Sequence, residues 1–593
     1  AHLLNFYGRE RQVAWWEIFD RMSQSEEELS TDSSCIANVR RAATDLEPVR
    51  VKQSVLYQYQ FDPEQDVKIQ AGDTLFFHHD LKSDVAVDEI DLENGKLVLR
   101  RSNKRESPPE WGHLILKELV NHEKLEDAIF RQSDKLFSSF KENKTGSNIE
   151  IRSCLRDFLR RDFPRIRGKV AGHPILSSDE MRWEDAAEII RNLDHSYLCI
   201  QGPPGTGKTY VGANAILDLI SRGYRVGVSS NSHKAIENML EEISKHALLR
   251  GDHFEGVKVG SDTHGASEVF RTGLLRQVSD LKVDADFDRV KLIGATAWYF
   301  ARPELSGQLD YLFIDEAGQV CLANVVAMAE STRNLIFLGD QLQLDQPVKG
   351  SHPGESGTSS LEYLLSEHGT IPAEKGIFLT HTKRMHPDLC EIVSSSVYDN
   401  RLKSAPETAD RRLLIRADNQ FVTRPHGLIY SACLHEGNSQ SSKEEVERIK
   451  CIVDELMTCS IEDEAGLRKF TLQDILIVAP YNQQVRLIRA GIAGVEVGSV
   501  DKFQGRQSAV AIISMSSSDL ASSSRGMEFL LSKKRLNVAI SRAKILAIVV
   551  GSPRLAHYAC NTVEQAALLN LFCRFVYEGS RKTNLPEATV HTS

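Results

Sequence analysis

Residues 202–209 read Gly-Pro-Pro-Gly-Thr-Gly-Lys-Thr and follow the apolar run Tyr197, Leu198, Cys199, Ile200. Gly202, Gly205 and Gly207 let the backbone curl so that successive N–H groups converge on an anion, a turn that bulkier residues cannot make. Pro203, Pro204 and Thr206 complete the loop; Lys208 is placed to reach the β and γ phosphates of a nucleoside triphosphate, and Thr209 to offer its hydroxyl to Mg2+. The helix beginning there turns its positive end toward the phosphates. A second constellation, Tyr311 to Glu316 (YLFIDE), reads as a buried strand whose C-terminal end delivers two carboxylates to the ligand crevice of a parallel sheet. Asp315 is positioned to hold Mg2+, and Glu316 to orient and deprotonate the attacking water. The expected cofactors are therefore ATP and Mg2+.

These groups need elements that present strand ends side by side. At 593 residues the chain is too long for one core, and about 150 residues per domain gives three to four units. From about residue 166 buried strands alternate with helices, the pattern of parallel α/β units, and they do so twice. Strands are expected at 197–201, 225–230, 291–296, 311–316 and 334–339 in a first block, and at 377–380, 427–433, 474–479, 495–500, 510–515 and 545–551 in a second. The Gly- and Ser-rich stretch Lys349 to Ser360 between them suits a mobile loop.

The N-terminal part is different. A helix over 9–30 carries Trp15, Phe19 and Met22 on one packing face, and short strands with turns at Ala71-Gly72-Asp73 and Asn94-Gly95 follow. From Trp111 to about Lys141 the apolar spacing is helical again, reading as a stalk. The expected division is a helical segment at 1–48, a small β-barrel at 49–105, a helical stalk at 106–165, a first α/β domain at 166–355 and a second at 356–593. An insertion at about 250–290 has no role that the pattern assigns.

Composition narrows the classes. The hydrophobic fraction of 41% is that of a globular protein, and no apolar run approaches the ~18 residues of a membrane span. The N-terminus AHLLNFYGRERQ lacks a signal-peptide core, so no membrane association is expected and the cytoplasm is the expected compartment. Ten cysteines are scattered without CxxC pairs or zinc spacing, and read as reduced. A net charge of −10 gives no general support to nucleic-acid binding, so any such surface must be local. The densest basic stretch, Arg152 to Lys169, reads equally as a solvated helix end or a phosphate-contacting track.

Six segments together carry a family resemblance. GDQLQLDQP at 339–347, RMHP at 384–387, VDKFQG at 500–505 and RLNVAISRAK at 535–544, with GPPGTGKT and DEAGQ, resemble the motif series of superfamily 1 helicases. The likeness is to the 5′→3′ branch containing the nonsense-mediated-decay helicase and the replication helicase–nuclease, and it covers roughly residues 165–580. It implies an α/β fold with two RecA-like P-loop domains in tandem, an accessory barrel and stalk on the N-terminal side, and ATP between the two domains. Arg384 and Arg542 would act as arginine fingers, while Asp340 and Gln343 would sense the γ-phosphate. Gly505 and Gln507 would lie at the nucleotide. Strand contacts would come from Ser230, Asn231, His233, Lys234, Thr296, Trp298, Pro480, Tyr481, Val500 and Lys502, with ordinary packing a competitor for each and an even one for Trp298.

AWWEIF, GATAWYFARPEL, LANVVAMAEST and GSHPGESG resemble more narrowly the helicase half of bacterial RecB-like nuclease–helicase fusions. The Asp, Glu and Lys arrangement of such a nuclease is not found here, so the chain reads as a fragment or as a stand-alone relative with a separate nuclease partner. Two positions depart from the family pattern. Lys383 stands where an aromatic would stack on adenine, and Gln507 replaces a ribose-contacting glutamate, which implies loose nucleotide selectivity with catalysis intact. The resulting expectation is an ATP-dependent helicase or translocase on single-stranded nucleic acid, moving 5′→3′, with DNA favoured over RNA. The alternative is an ATP-gated clamp that remodels a nucleoprotein complex or recruits a nuclease without processive unwinding.

Overall fold

The computed structural model describes residues 1–42, 49–51, 53–65, 67–143, 153–178, 181–260, 270, 272–284, 287–366, 368–503, 505–520 and 526–581. Arg152, Gln504 and, within the 250–290 insertion, residues 261–269, 271, 285 and 286 lie outside them. The chain divides into one unit of Ala1–Glu126 with Val348–Gly357, and a second of Asp127–Pro347 with Thr358–Ser593.

In the first unit the strands Cys35–Arg41, Trp111–Leu116, Thr74–Phe77, Asp80–Asp91, Lys96–Ser102 and Ser54–Gln60 pair in that order, and the last pairs back to the first. The ring is a closed six-stranded barrel, which removes exposed sheet edges. Alternating inward residues such as Ile36, Val39, Tyr59, Leu97, Leu99 and Leu114 fill it. The barrel extends beyond both ends of the expected 49–105, since Cys35–Arg41 and Trp111–Leu116 are barrel strands and the helix begins only at Glu123. On the N-terminal helix Phe6–Ser23 the buried residues are Phe6, Tyr7, Ala14 and Ile18, while Phe19 is exposed with its ring 5.6 Å from that of Trp15.

Within the same unit the 348–357 segment is pinned, contrary to the mobile loop expected from its glycines. Lys349 pairs with Glu17 at 2.8 Å and Glu118 at 2.6 Å, and Glu10 accepts from the backbone of Lys349 and Gly350. Burial raises the Glu118 carboxyl, but hydrogen bonds from Lys349 and Lys68 outweigh it and hold the group at about 2.

Among its described residues the second unit has two large parallel sheets. The first has eight strands, in the order Leu275–Val278, Glu255–Val259, Val290–Gly294, Val226–Ser229, Leu309–Ile314, Thr332–Gly339, Tyr197–Gln201 and Gly376–Phe378. The second runs Gly427–Ala432, Ala543–Gly551, Ser508–Ser514, Ile475–Val478, Glu496–Gly498. Tyr197–Gln201, Val226–Ser229, Ile475–Val478 and Ser508–Ser514 are buried along their whole length, which is why they read as continuous apolar runs rather than alternations. Two findings alter the expected bookkeeping of strands. Gly376–Phe378, expected in the second block, pairs with Tyr197–Gln201 and closes the edge of the first sheet. The insertion supplies Glu255–Val259 and Leu275–Val278, which extend that sheet at its other edge. Among the described residues no helix is long and apolar enough to cross a membrane.

Candidate functional site

Tyr197–Gln201 runs into the glycine loop and the helix Lys208–Ser221 leaves it, as the sequence requires. Gly205 and Gly207 have φ of +78° and +83°, the left-handed region that glycine enters without a Cβ penalty. The Lys208 ammonium folds back onto the Gly202 carbonyl at 2.7 Å, and the Thr206 hydroxyl donates to the Pro203 carbonyl at 2.8 Å. Thr209, half-buried, lies in the first turn of the helix.

Leu309–Ile314 lies two strands away in the same sheet, and Asp315 and Glu316 leave its C-terminal end. Asp315 is buried, its N–H donating to the Ser229 carbonyl at 2.8 Å. Burial, reinforced by the negative charge of Glu316, pushes its carboxyl up to about 7, and Lys208 pulls against that shift. Glu316 itself has φ of +50°, a strained conformation for a residue with a side chain and one that collects at functional sites.

The segment Thr382–Arg384 sits directly on the glycine loop. The Thr382 hydroxyl donates to the Pro204 carbonyl at 2.8 Å and the Lys383 N–H to the Gly205 carbonyl at 2.9 Å. A Cβ on Gly205 would lie 2.4 Å from Arg384 Cβ, so the glycine is needed for close approach as well as for φ. Arg384 donates to the Gln507 side chain at 2.9 Å and to the Ser541 carbonyl at 3.0 Å. Arg542, 1% exposed, donates to the carbonyls of Val538, Phe503 and Arg506 at 2.8, 3.1 and 3.0 Å. Burial lowers Arg384 to about 10; burial and then the charge of Arg384 lower Arg542 to about 9, with Glu316 acting in the opposite direction. Two arginines and the carboxylate expected to orient water thus share one electrostatic neighbourhood. Gly505, Gln507 and Lys383 are exposed around it.

Asp340 and Gln343 follow the strand Thr332–Gly339. The Gln343 amide donates to Asp340 Oδ2 at 3.0 Å, and the same oxygen accepts from the Tyr398 hydroxyl at 2.6 Å. Asn537 donates to the Tyr398 oxygen at 2.7 Å and to the Leu342 carbonyl at 2.8 Å. Tyr398 and Asn537 escaped the sequence reading. Asn537 lay inside RLNVAISRAK without a role, and nothing in the order of residues shows that Tyr398 faces Asp340.

The expected strand-contacting residues all follow C-terminal strand ends, the edge where parallel sheets bind ligands. Ser230, Asn231, His233 and Lys234 follow Val226–Ser229, and Thr296 and Trp298 follow Val290–Gly294. In the second sheet Pro480 and Tyr481 follow Ile475–Val478, and Val500 and Lys502 follow Glu496–Gly498. Their side chains differ in availability. Asn231, Lys234 and Lys502 are exposed; Thr296, Trp298, Pro480 and His233 are half-buried; Ser230, Tyr481 and Val500 are buried, Tyr481 with its ring 5.6 Å from Phe529. Asn231 donates to Gln319 at 2.9 Å, and burial followed by the charge of Lys258 lowers the His233 imidazole. Much of the basic stretch is used internally, with Arg160, Arg165 and Arg167 paired to Asp162, Asp157 and Asp194.

Residues 184–355 match one family model and residues 357–554 another, each described as an AAA domain. A "DNA replication ATP-dependent helicase/nuclease" of Arabidopsis thaliana is 28% identical over 412 residues, 66% of this chain and 29% of that protein. "DNA polymerase alpha-associated DNA helicase A" of Schizosaccharomyces pombe is 27% identical, with 62% of each chain covered. "Regulator of nonsense transcripts 1" of Caenorhabditis elegans is 27% identical, over 73% of this chain and 44% of that one. The chain spans about a third of the length of the helicase/nuclease relatives, 29% of the plant protein and 37% of that of Gallus gallus. With the glycine loop, the carboxylate strand end and both arginines assembled at one place, and with helicases as its relatives, the chain is of the superfamily 1 helicase type.

Proposed function

We propose that this chain is an ATP-driven motor that moves 5′→3′ along single-stranded nucleic acid, DNA in preference to RNA, and unwinds duplex ahead of it. The observation that carries the reading is the seating of Thr382–Arg384 on the glycine loop, with Arg542 close enough to feel the charges of both Arg384 and Glu316. The loop amides and Lys208, whose ammonium donates to the Gly202 carbonyl, hold the β and γ phosphates. Glu316 orients and deprotonates the attacking water, and the two guanidiniums neutralise charge that develops on the transferred phosphoryl group. The oxygen donors Thr209 and Asp315 suit a hard cation, and a buried carboxylate raised to about 7 beside a second carboxylate is a group that a cation would stabilise. Thr209 and Asp315 would hold Mg2+ there, and the ion would supply charge compensation at the phosphates. Asp340 and Gln343 sense the γ-phosphate.

The exposed side chains and backbone at the C-terminal strand ends of both sheets take the strand by its phosphates and sugars, which positions without reading sequence. Lys383 and Gln507 at the nucleotide edge leave the base loosely selected, so GTP is also hydrolysed. A nuclease domain or subunit acts with the motor in the cytoplasm. Unwinding of a duplex with a 5′ single-stranded tail, and none with a 3′ tail, is the expected result. ATP hydrolysis without displacement from either substrate would replace the motor by an ATP-gated clamp.

A further inference from the structure

A buried hydrogen-bond chain joins the Asp340–Gln343 turn to the helix whose carbonyls hold both arginines, through two residues outside every assigned role. Gln343 and the Tyr398 hydroxyl both donate to Asp340 Oδ2, and Asn537 donates to Tyr398 and to the Leu342 carbonyl. Asp340 is 2% exposed, Gln343 5%, Asn537 1% and Tyr398 0%, so water cannot replace a broken link without opening the packing. In that low-dielectric setting, hydrogen bonds to a carboxylate are strong and coupled to one another.

Asn537 lies on the helix Lys533–Ile540. The next residue, Val538, gives its carbonyl to Arg542, and Ser541 at the helix end gives its carbonyl to Arg384. Rotation or translation of this short helix therefore moves the anchor points of both guanidiniums together. Asn537 Oδ1 has no hydrogen-bond partner among the described residues.

We infer that Tyr398 and Asn537 are positioning residues that transmit the state of the Asp340–Gln343 turn to Arg384 and Arg542. The inference rests on the ATPase reading above. Neither side chain touches nucleotide; each sets where the arginines stand when the γ-phosphate is engaged.

The test is steady-state ATP hydrolysis by the full chain, with and without single-stranded DNA, for wild type, Tyr398→Phe, Gln343→Ala and the double variant, with Lys208→Ala as blank. Tyr398→Phe deletes one hydroxyl, and the relay predicts a fall in kcat of about tenfold with KM for ATP within about twofold. The double variant should be no slower than the slower single, because both break the same chain. Asn537→Asp, isosteric but without the Nδ2 donor, should reproduce the loss should Tyr398→Phe fold poorly. A kcat within twofold of wild type, a rise in KM alone, or losses that multiply in the double variant would overturn the relay. Wild-type hydrolysis that single-stranded DNA leaves unchanged counts against the motor, while the relay is still judged on the unstimulated rate. Wild-type hydrolysis no faster than Lys208→Ala overturns both.

Discussion

Gly205→Ala probes the contact on which the composite site depends. At φ of +78° an alanine costs about 1–2 kcal/mol relative to the right-handed region. The added Cβ would also lie 2.4 Å from Arg384 Cβ and 2.6 Å from the Thr382 hydroxyl, with the Arg384 backbone nitrogen at 3.2 Å. Carbon atoms rest at about 3.5–4.0 Å, so the glycine loop or the Thr382–Arg384 segment must move by roughly 1 Å. A displacement of that size at a reacting centre costs on the order of 100-fold in rate. Gly223 supplies the control, because it has φ of +88° and, among the described residues, nothing within 4 Å of its Cβ position. Gly223→Ala should lose about 1–2 kcal/mol of stability by strain alone and hydrolyse ATP within twofold of wild type. Gly205→Ala should fall about 100-fold in kcat. Both are read by denaturant unfolding and a coupled ATPase assay. A Gly205→Ala chain that hydrolyses ATP at the wild-type rate would refute the claim that Arg384 works from its present seat against the loop.

Glu316→Gln should keep ATP binding, measured by a fluorescent analogue, while turnover stalls; loss of binding with retained turnover would contradict the role of Glu316. Lys258 and Glu237 form an ion pair with side chains 1% and 9% exposed. Lys258→Met should cost about 3–5 kcal/mol in urea unfolding, and adding Glu237→Leu should recover most of it, since an unpaired buried charge is the source of the loss. Burial, then the neighbouring His426, lowers His386 to about 4, with Asp388 opposing and Arg411 adding to the shift. The neutral ring is favoured in the folded chain, so its contribution is complete above the unfolded value near 6.5 and declines as pH falls toward about 4. After discount for solvent screening the decline amounts to about 1–2 kcal/mol. His386→Asn, which keeps an acceptor at the head of the helix Pro387–Val397, should flatten that part of the stability–pH curve.

The chemistry was legible because its parts are local. The phosphate loop is eight consecutive residues between a strand and a helix, and the carboxylates follow a six-residue buried strand, so periodicity and glycine placement suffice to find them. The arginines came from motif order rather than from physics, and only the structure shows Arg542 fastened by three backbone carbonyls. What eluded the sequence depends on partners far along the chain. Gly376–Phe378 reads as any short apolar strand, and its place in the first sheet follows from pairing with residues some 180 positions earlier. Trp111–Leu116 has helix-compatible apolar spacing, yet it is a barrel strand paired between Cys35–Arg41 and Thr74–Phe77. Tyr398 looks like a core aromatic until Asp340 is found against its hydroxyl. Lys349 shows the same limit in a loop, where glycine and serine suggest mobility and two distant glutamates supply anchors.

The most direct measurement is the ATPase rate with no nucleic acid, with single-stranded DNA and with single-stranded RNA, for wild type and Arg542→Ala, using Lys208→Ala as the blank. A site completed by arginines across from the glycine loop predicts strong stimulation by single-stranded DNA, weaker stimulation by RNA, and a loss of about 10³-fold in Arg542→Ala. Near-normal turnover in Arg542→Ala, or hydrolysis indifferent to both polymers, would contradict it.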